Sequence, residues 1–405
     1  MIRDFKLILF CLLLLPASCL FGQANIDYKL DPSNYHLMAS GLRNSQIQFE
    51  QTKKGRVAFL GGSITYNGGW RDSVSNYLQA RFPKTEFEFI AAGIPSTGTT
   101  PAAFRLERDV LSKGKIDLLF EEAAVNDANN GRTTDEQLNA MEGIIRHLRN
   151  SNPSIDIVMM HFVDPSKMTD YNRNIEPEVI VNHNRVAKHY NIPTINLAKE
   201  VTDRVNNGEF TWAADFKNLH PSRFGQGIYA NSIIDFLSNA FSQPIEGEGK
   251  VVSHVLPEKL NKNAYDNGQL LDVKVAKLAK GWNIDPSWIP SDGTGTRPNY
   301  TDVPMLIGYA PGPALKLRFE GSAVGIAVAA GQDAGIIEYR IDKNEWVELN
   351  LFTKWSKGLH LPWYYNLSNE LSNKKHLLEI RISDARDERS TGNACRIRYF
   401  FINKR

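Results

Sequence analysis

Four short motifs carry residue types that could do chemistry together. Gly61-Gly62-Ser63-Ile64-Thr65 presents a hydroxyl behind two glycines, and Ala92-Gly93-Ile94-Pro95 presents a backbone N–H with no side chain to obstruct it. Ala124-Val125-Asn126-Asp127 presents a carboxamide, and Asn218-Leu219-His220-Pro221-Ser222 an imidazole. A free imidazole can take the proton of a serine hydroxyl and turn its oxygen into a nucleophile. Backbone N–H groups and an Asn amide aimed at one point can hold the negative charge that develops on an attacked carbonyl oxygen. Each motif has a plainer reading when taken alone. Gly-Gly-Ser after a strand also makes a phosphate-binding or merely structural turn. Loop glycines and helix-capping Asn or Asp residues are common, and a lone loop histidine is often incidental.

The elements that must position these residues follow from hydrophobic patterning. Short apolar runs bounded by turn residues predict buried strands at 57–61, 87–91, 116–125, 156–162 and 193–197. Helical patterns lie between and after them, at 70–82, 101–111, 134–150, 177–190 and 221–241. Such alternation implies α/β architecture, a parallel sheet with helices on both faces, whose ligand crevice opens at the carboxyl ends of the strands. Ser63, Gly93 and Asn126 stand at the ends of the first three strands, and His220 precedes a Pro able to start the last helix.

In this order the motifs resemble the SGNH hydrolase family, a branch of the GDSL-like lipases and esterases, over residues 55–241. The resemblance implies a flavodoxin-like three-layer α/β/α domain that needs no metal and no organic cofactor. It implies acyl transfer, with Ser63 as nucleophile and His220 as general base and then general acid. The Ser63 and Gly93 N–H groups and the Asn126 side chain would form the oxyanion hole. Two departures stand out. The family's Gly-Asp-Ser is here Gly61-Gly62-Ser63, which leaves the nucleophile intact. The family also places the third triad member, an Asp, three residues before the His, and that position is Lys217. Either the loop bulges so that Asp215 reaches His220 and completes a catalytic set of Ser63, His220 and Asp215, or a backbone carbonyl orients the imidazole in a Ser–His dyad.

Residues 1–24 read as a signal peptide. A charged start with Arg3 and Lys6 leads to an apolar run at 7–15, too short to span a bilayer, and then to a small-residue cleavage zone. The expected location is therefore secreted or periplasmic, with a lipid anchor at Cys19 as a further reading. Cys11 and Cys19 fall in that segment, so Cys395 is the remaining cysteine, which excludes an intramolecular disulfide and a Cys-based metal site in the mature chain. A formal net charge of +2 without a long basic run argues against a nucleic-acid partner. No other segment is apolar enough to cross a membrane.

Residues 25–245 are expected to form the hydrolase domain. A Gly- and Pro-containing linker at 243–249 leads to residues 246–405, an all-β sandwich with its clearest strands at 314–319, 324–329, 336–341, 346–351, 376–382 and 396–402. Trp355 and Trp363-Tyr364-Tyr365 are either sugar-stacking faces or sandwich core. Among secondary residues, Tyr66 and Asn67 are read as pocket lining, and Trp70 as pocket lining or helix core. His161 is read as a buried, satisfied histidine, and His183 and His189 give no metal-ligand spacing. Glu121-Glu122 sits in a buried strand and is read as structural, with one of the two expected to find a partner such as Arg105 or Arg108. The constellation, the export signal and the β-rich appendage together favour a carbohydrate ester as substrate, deacetylated through an acyl-serine. Two alternatives remain: an esterase for lipid or longer acyl chains, and a non-catalytic glycan-binding protein with a decayed site.

Overall fold

The computed structural model describes residues 30–245 and 249–404. Residues 1–24, read above as a signal peptide and including Cys19, and part of the linker lie outside them. A six-stranded sheet is built from β1 (His36–Leu37), β2 (Lys54–Gly61), β3 (Glu86–Gly93), β4 (Leu118–Glu122), β5 (Asp156–Met160) and β6 (Thr194–Ile195), in the order β1-β6-β5-β4-β2-β3. β2 through β6 are parallel, and β1 adds antiparallel to β6 at the edge. Setting β1 aside, this is the flavodoxin-like order, in which β2 has its successors β3 and β4 on opposite sides. That reversal is the topological switch point, where α/β sheets open a crevice.

Apolar residues fill both faces of the sheet because helices cover both. On one face α1 (Arg43–Thr52), α3 (Trp70–Arg81), α9 (Leu197–Asn206) and α10 (Arg223–Ser242) close a core around Phe59, Trp70, Phe162 and Phe236. On the other lie α4 (Thr99–Asp109), α6 (Thr134–Ser151) and α8 (Glu178–His189). Short helices α2 (Ser63–Tyr66) and α5 (Ala124–Asn129) leave the ends of β2 and β4, and α7 (Pro165–Asn172) follows β5. The strand expected at 116–125 thus ends at Glu122: a buried apolar run does not itself separate strand from buried helix.

The second unit is a sandwich. One sheet holds β7 (Gly268–Asp272), β8 (Trp282–Trp288), β9 (Gly295–Thr296), β10 (Val303–Gly308), β12 (Ala323–Ala330), β15 (Leu359–Ser368) and β17 (Cys395–Asn403). The other is formed by β11 (Leu315–Gly321), β13 (Ile336–Ile341), β14 (Val347–Asn350) and β16 (Lys374–Ile382), and a core including Leu317, Val328, Ile380 and Phe400 lies between them.

The linker does not separate the two units. Residues 250–267 run along the α/β domain as a hydrogen-bonded strap. Arg149 Nη1 donates to Val255 O at 2.9 Å, Arg146 Nη1 to Pro257 O at 2.7 Å, and the Leu260 and Asn261 N–H groups donate to Glu142 at 2.7 and 2.8 Å. Beyond it the domains share one apolar cluster. Phe104 of α4, fully buried, packs its ring 4.8 Å from Tyr265 and 4.3 Å from Phe401. Tyr364, 2% exposed, lies against Phe401, so this aromatic is core and not a sugar platform, whereas Trp355 is 44% exposed. Arg132 ties the junction by donating to Tyr364 O at 2.9 Å.

Candidate active site

Strand β2 delivers Ser63. Val57, Ala58, Phe59 and Leu60 are fully buried, so the strand is held rigidly up to Gly61, whose carbonyl accepts from Arg105 Nη2 at 3.1 Å. Gly62 then breaks the strand and caps α2, of which Ser63 is the first residue. N–H groups in the first turn of a helix have no partner within it, so the Ser63 N–H is available beside its own hydroxyl. Ser63 is only partly covered. Gly62 must lack a side chain, since a Cβ there would collide with Asn126 Oδ1.

Gly93 ends the neighbouring strand in register with Gly61. Ile94 N donates to Gly61 O at 3.0 Å, so in this parallel ladder residues 92 and 94 turn their polar groups toward β2. Gly93 therefore turns its N–H to the other side, where β3 is the sheet edge and no strand takes it. Its missing Cβ lets the Tyr66 backbone come into contact.

Asn126 rides on α5, and its neighbours fix that helix. Asp127, fully buried, accepts from the Thr99 N–H through Oδ1 at 2.9 Å and from the Thr99 hydroxyl through Oδ2 at 2.7 Å, and His183 Nε2 lies 3.1 Å from that same Oδ2. Asn130 Nδ2 donates to Ser96 O at 3.1 Å. The turn bearing Asn126 is thereby stitched to the loop after Gly93. Sequence reasoning did not find this support; Asp127 read only as a cap.

His220 arrives from the loop before α10. Ser222 caps that helix by accepting from the Gly225 N–H, and the His220 N–H is held by Asn218 Oδ1 at 2.8 Å. Its Nε2 lies 2.7 Å from Ser63 Oγ, across 157 residues of sequence. Partial desolvation, and then the positive charge of Arg297, hold the imidazole below its ordinary value. A neutral imidazole hydrogen-bonded to a hydroxyl is ready to accept its proton.

The structure corrects the expectation for Asp215. Its residue lies in a π-helical turn, Trp212–Phe216, capped by Thr211. The carboxylate folds back on that cap: Oδ2 accepts from the Thr211 N–H at 2.7 Å and from the Thr211 hydroxyl at 2.9 Å. These bonds hold it below the usual carboxylate range. Among the described residues no carboxylate pairs with His220, and the side chains brought together are those of Ser63 and His220. Phe216, fully buried, anchors this turn against Tyr229 of α10.

The arginine partner expected for Glu121 or Glu122 is also corrected. Arg105 and Arg108 both bind Asp109, at 2.9 and 2.5 Å, while both Glu121 oxygens lack a partner. Burial, then the neighbouring carboxylates, keeps Glu121 protonated far above its usual range. Glu122 is pushed up to about 7, first by burial. Its Oε1 accepts from the Val125 N–H at 3.3 Å, at the start of α5. His161 is fully buried with Nε2 2.9 Å from Asn184 Oδ1, and burial pushes it down to about 3. Trp70 is core, its ring 5.5 Å from both Phe59 and Phe162, whereas Tyr66 is 44% exposed beside Ser63.

One residue of the site comes from the sandwich. Arg297 donates through Nε to Ser96 Oγ at 3.1 Å. No sequence signal points to it, since 201 residues separate the pair.

Comparison with known proteins gives a family match and a likeness of fold. Residues 59–228 match the model of the GDSL-like lipase/acylhydrolase family. No curated protein matches the chain in sequence. Among solved structures, the chain is similar to a two-domain esterase, CEX, active on acetylated mannans. The structure of CEX co-crystallised with mannopentaose shares 20% identity at a TM-score of 0.69, over 93% of this chain and 99% of that one. A second CEX structure gives the same score over 91% of this chain. A variant acetyl xylan esterase from Geobacillus stearothermophilus matches 46% of this chain and 96% of its own at 20% identity, with a TM-score of 0.38. The likeness to CEX extends through both domains and supports the fold.

Proposed function

Residues 59–228 form a domain of the GDSL-like lipase/acylhydrolase family, and taking the chain on that ground as a carboxylic ester hydrolase, we propose that it removes acetyl and other short acyl groups from carbohydrate through Ser63. The observation that carries the catalytic reading is the 2.7 Å contact between Ser63 Oγ and His220 Nε2 at the switch point of the sheet. His220 takes the hydroxyl proton as Ser63 Oγ bonds to the ester carbonyl carbon. The carbonyl oxygen becomes an oxyanion that the Ser63 and Gly93 N–H groups and the Asn126 carboxamide receive. The bond to the sugar oxygen breaks, and that oxygen leaves with the proton from His220. Water then repeats the sequence on the acyl-serine and releases the acid.

Asp215 takes no part in this scheme, because its carboxylate is spent on Thr211. The carbohydrate half of the proposal is supported by the two-domain fold shared with an esterase active on acetylated mannans. Loops rich in Gly, Ser, Thr and Asn around Ser63 also suit a polyol better than an acyl chain. Placement outside the cytoplasm rests on the sequence of residues 1–24 alone.

The test is acetate release. The chain and its Ser63→Ala variant are incubated with acetylated mannan, xylan and pectin and with short- and long-chain nitrophenyl esters. The proposal expects release by wild type only, with acetylated glycans and short esters preferred. Preference for long-chain esters would move the substrate to lipid. A folded protein that binds glycan and cleaves nothing would leave the binding-protein alternative.

A further inference from the structure

Arg297 stands on a base that the sandwich makes rigid. Gly295 and Thr296 pair with Leu359 and His360, and the Thr296 hydroxyl donates to His360 O at 2.6 Å. Arg297-Pro298-Asn299-Tyr300 closes a turn, with the Tyr300 N–H on Arg297 O at 3.1 Å and Asn299 at a φ of +70°. Pro at the second position and Asn at positive φ in the third are the residues such a turn favours, and Pro298 also restricts the backbone of Arg297. Tyr300 is 2% exposed and locks the far end into the core shared by both domains.

From this base the guanidinium reaches Ser96, three residues past Gly93. Ser96 has a φ of +68°, a region that a residue with a side chain keeps only when its surroundings impose it. Two tethers do so: Asn130 on the Ser96 carbonyl from α5, and Arg297 on the Ser96 hydroxyl from the sandwich. Among the described residues no carboxylate pairs with Arg297. The other charged groups near His220 along its own loop are Asp215, bound to Thr211, and Lys217 and Arg223, both exposed; from the sandwich, Arg297 is the charge that acts on the imidazole.

Resting on the acyl-transfer reading, we propose that Arg297 is a positioning residue of the active site, supplied by the β-sandwich, which locks the turn after Gly93 through Ser96 and so makes the two domains a single catalytic unit. The Gly93 N–H serves the transition state more than the ground state, so loosening its turn lowers kcat and leaves KM for a small ester nearly unchanged. Lysine does not substitute, because its ammonium is a flexible point charge and not a planar fork with a donor at Nε.

The experiment compares full-length wild type with Arg297→Gln, Arg297→Lys, Ser96→Ala and the Ser96→Ala/Arg297→Gln double variant on nitrophenyl acetate, with kcat and KM determined separately across pH. Removing an oxyanion donor outright costs about 10²–10³ in kcat, so loosening one is expected to cost about tenfold. The double variant should lose no more than the worse single, the mark of one shared interaction. Arg297→Lys should not recover kcat. The acid limb of the profile should move up in Arg297→Gln, as His220 loses a neighbouring cation. The proposal is overturned if Arg297→Gln keeps kcat and the acid limb of wild type, or if its lost activity merely tracks a lost folded fraction. A Ser63→Ala control separates the two claims. If that variant is fully active, the acyl-transfer reading fails. If it is inactive while Arg297→Gln matches wild type, the positioning role alone fails.

Discussion

Replacing Glu122 with Gln should make the protein less sensitive to rising pH. Glu122 ends β4, is wholly enclosed, and has one oxygen on the Val125 N–H and the other without a partner. Burial is the main cause of its raised pKa; the Val125 N–H and Lys167 oppose the rise, and Asp127 and Asp164 add to it. Between the ordinary value of 4.5 and about 7 the folded chain holds this proton and the unfolded chain has released it. Stability therefore falls as pH rises through that window, by about 1.4 kcal/mol per pH unit and roughly 3 kcal/mol in all. The full contribution is present below the unfolded value and is gone above the folded one. Gln keeps the acceptor for Val125 and carries no titrating proton. Urea unfolding of wild type and Glu122→Gln at intervals from pH 4.5 to 8 should show the difference in stability growing in the variant's favour as pH rises. Curves that stay parallel across the window would refute the buried neutral acid.

Three further outcomes follow from the site and the domain junction. Asp215→Ala should retain kcat within about threefold, where loss of a working triad Asp costs about 10⁴; a hundredfold drop in steady-state kinetics would return Asp215 to the catalytic set. Gly62→Ala should fold but push the Asn126 carboxamide aside, lowering kcat by about 10²–10³ at little change in KM; wild-type turnover would show that Asn126 is not needed where it stands. Phe104→Ala removes a fully buried ring between Tyr265 and Phe401 and should cost about 3–5 kcal/mol in denaturant unfolding. Separate unfolding of the two domains in wild type would contradict their shared core.

The sequence made some of this architecture plain and hid the rest for identifiable reasons. The strands of the parallel sheet are apolar on both faces, so runs such as the one before Gly61 stood out. The Ser63–His220 pair was legible because its motifs, at a strand end and a helix start, stand in the order that resembles the SGNH hydrolases. The direction of Asp215 was not, because it depends on a π-helical turn and on Thr211 competing for the carboxylate. Nor could composition show that Glu121 is left without a cation, since Arg105 and Arg108 look equally free until Asp109 is seen to take both. β15 was missed because Pro362 and Asn366 interrupt its pattern, which left Tyr364 open between sugar platform and core until its burial was seen. Arg297 belongs to a Gly- and Pro-containing turn without periodicity, and only the packing of the domains brings it to Ser96.

The central claim is that His220 activates Ser63 as a nucleophile. Its most direct measurement is the rate and position of labelling by a fluorophosphonate, read by intact mass and peptide mapping, in wild type and in His220→Ala. The account predicts a single adduct on Ser63, formed at least a thousandfold more slowly without the imidazole. A folded wild-type protein that takes no label, or takes it at another residue, would contradict it.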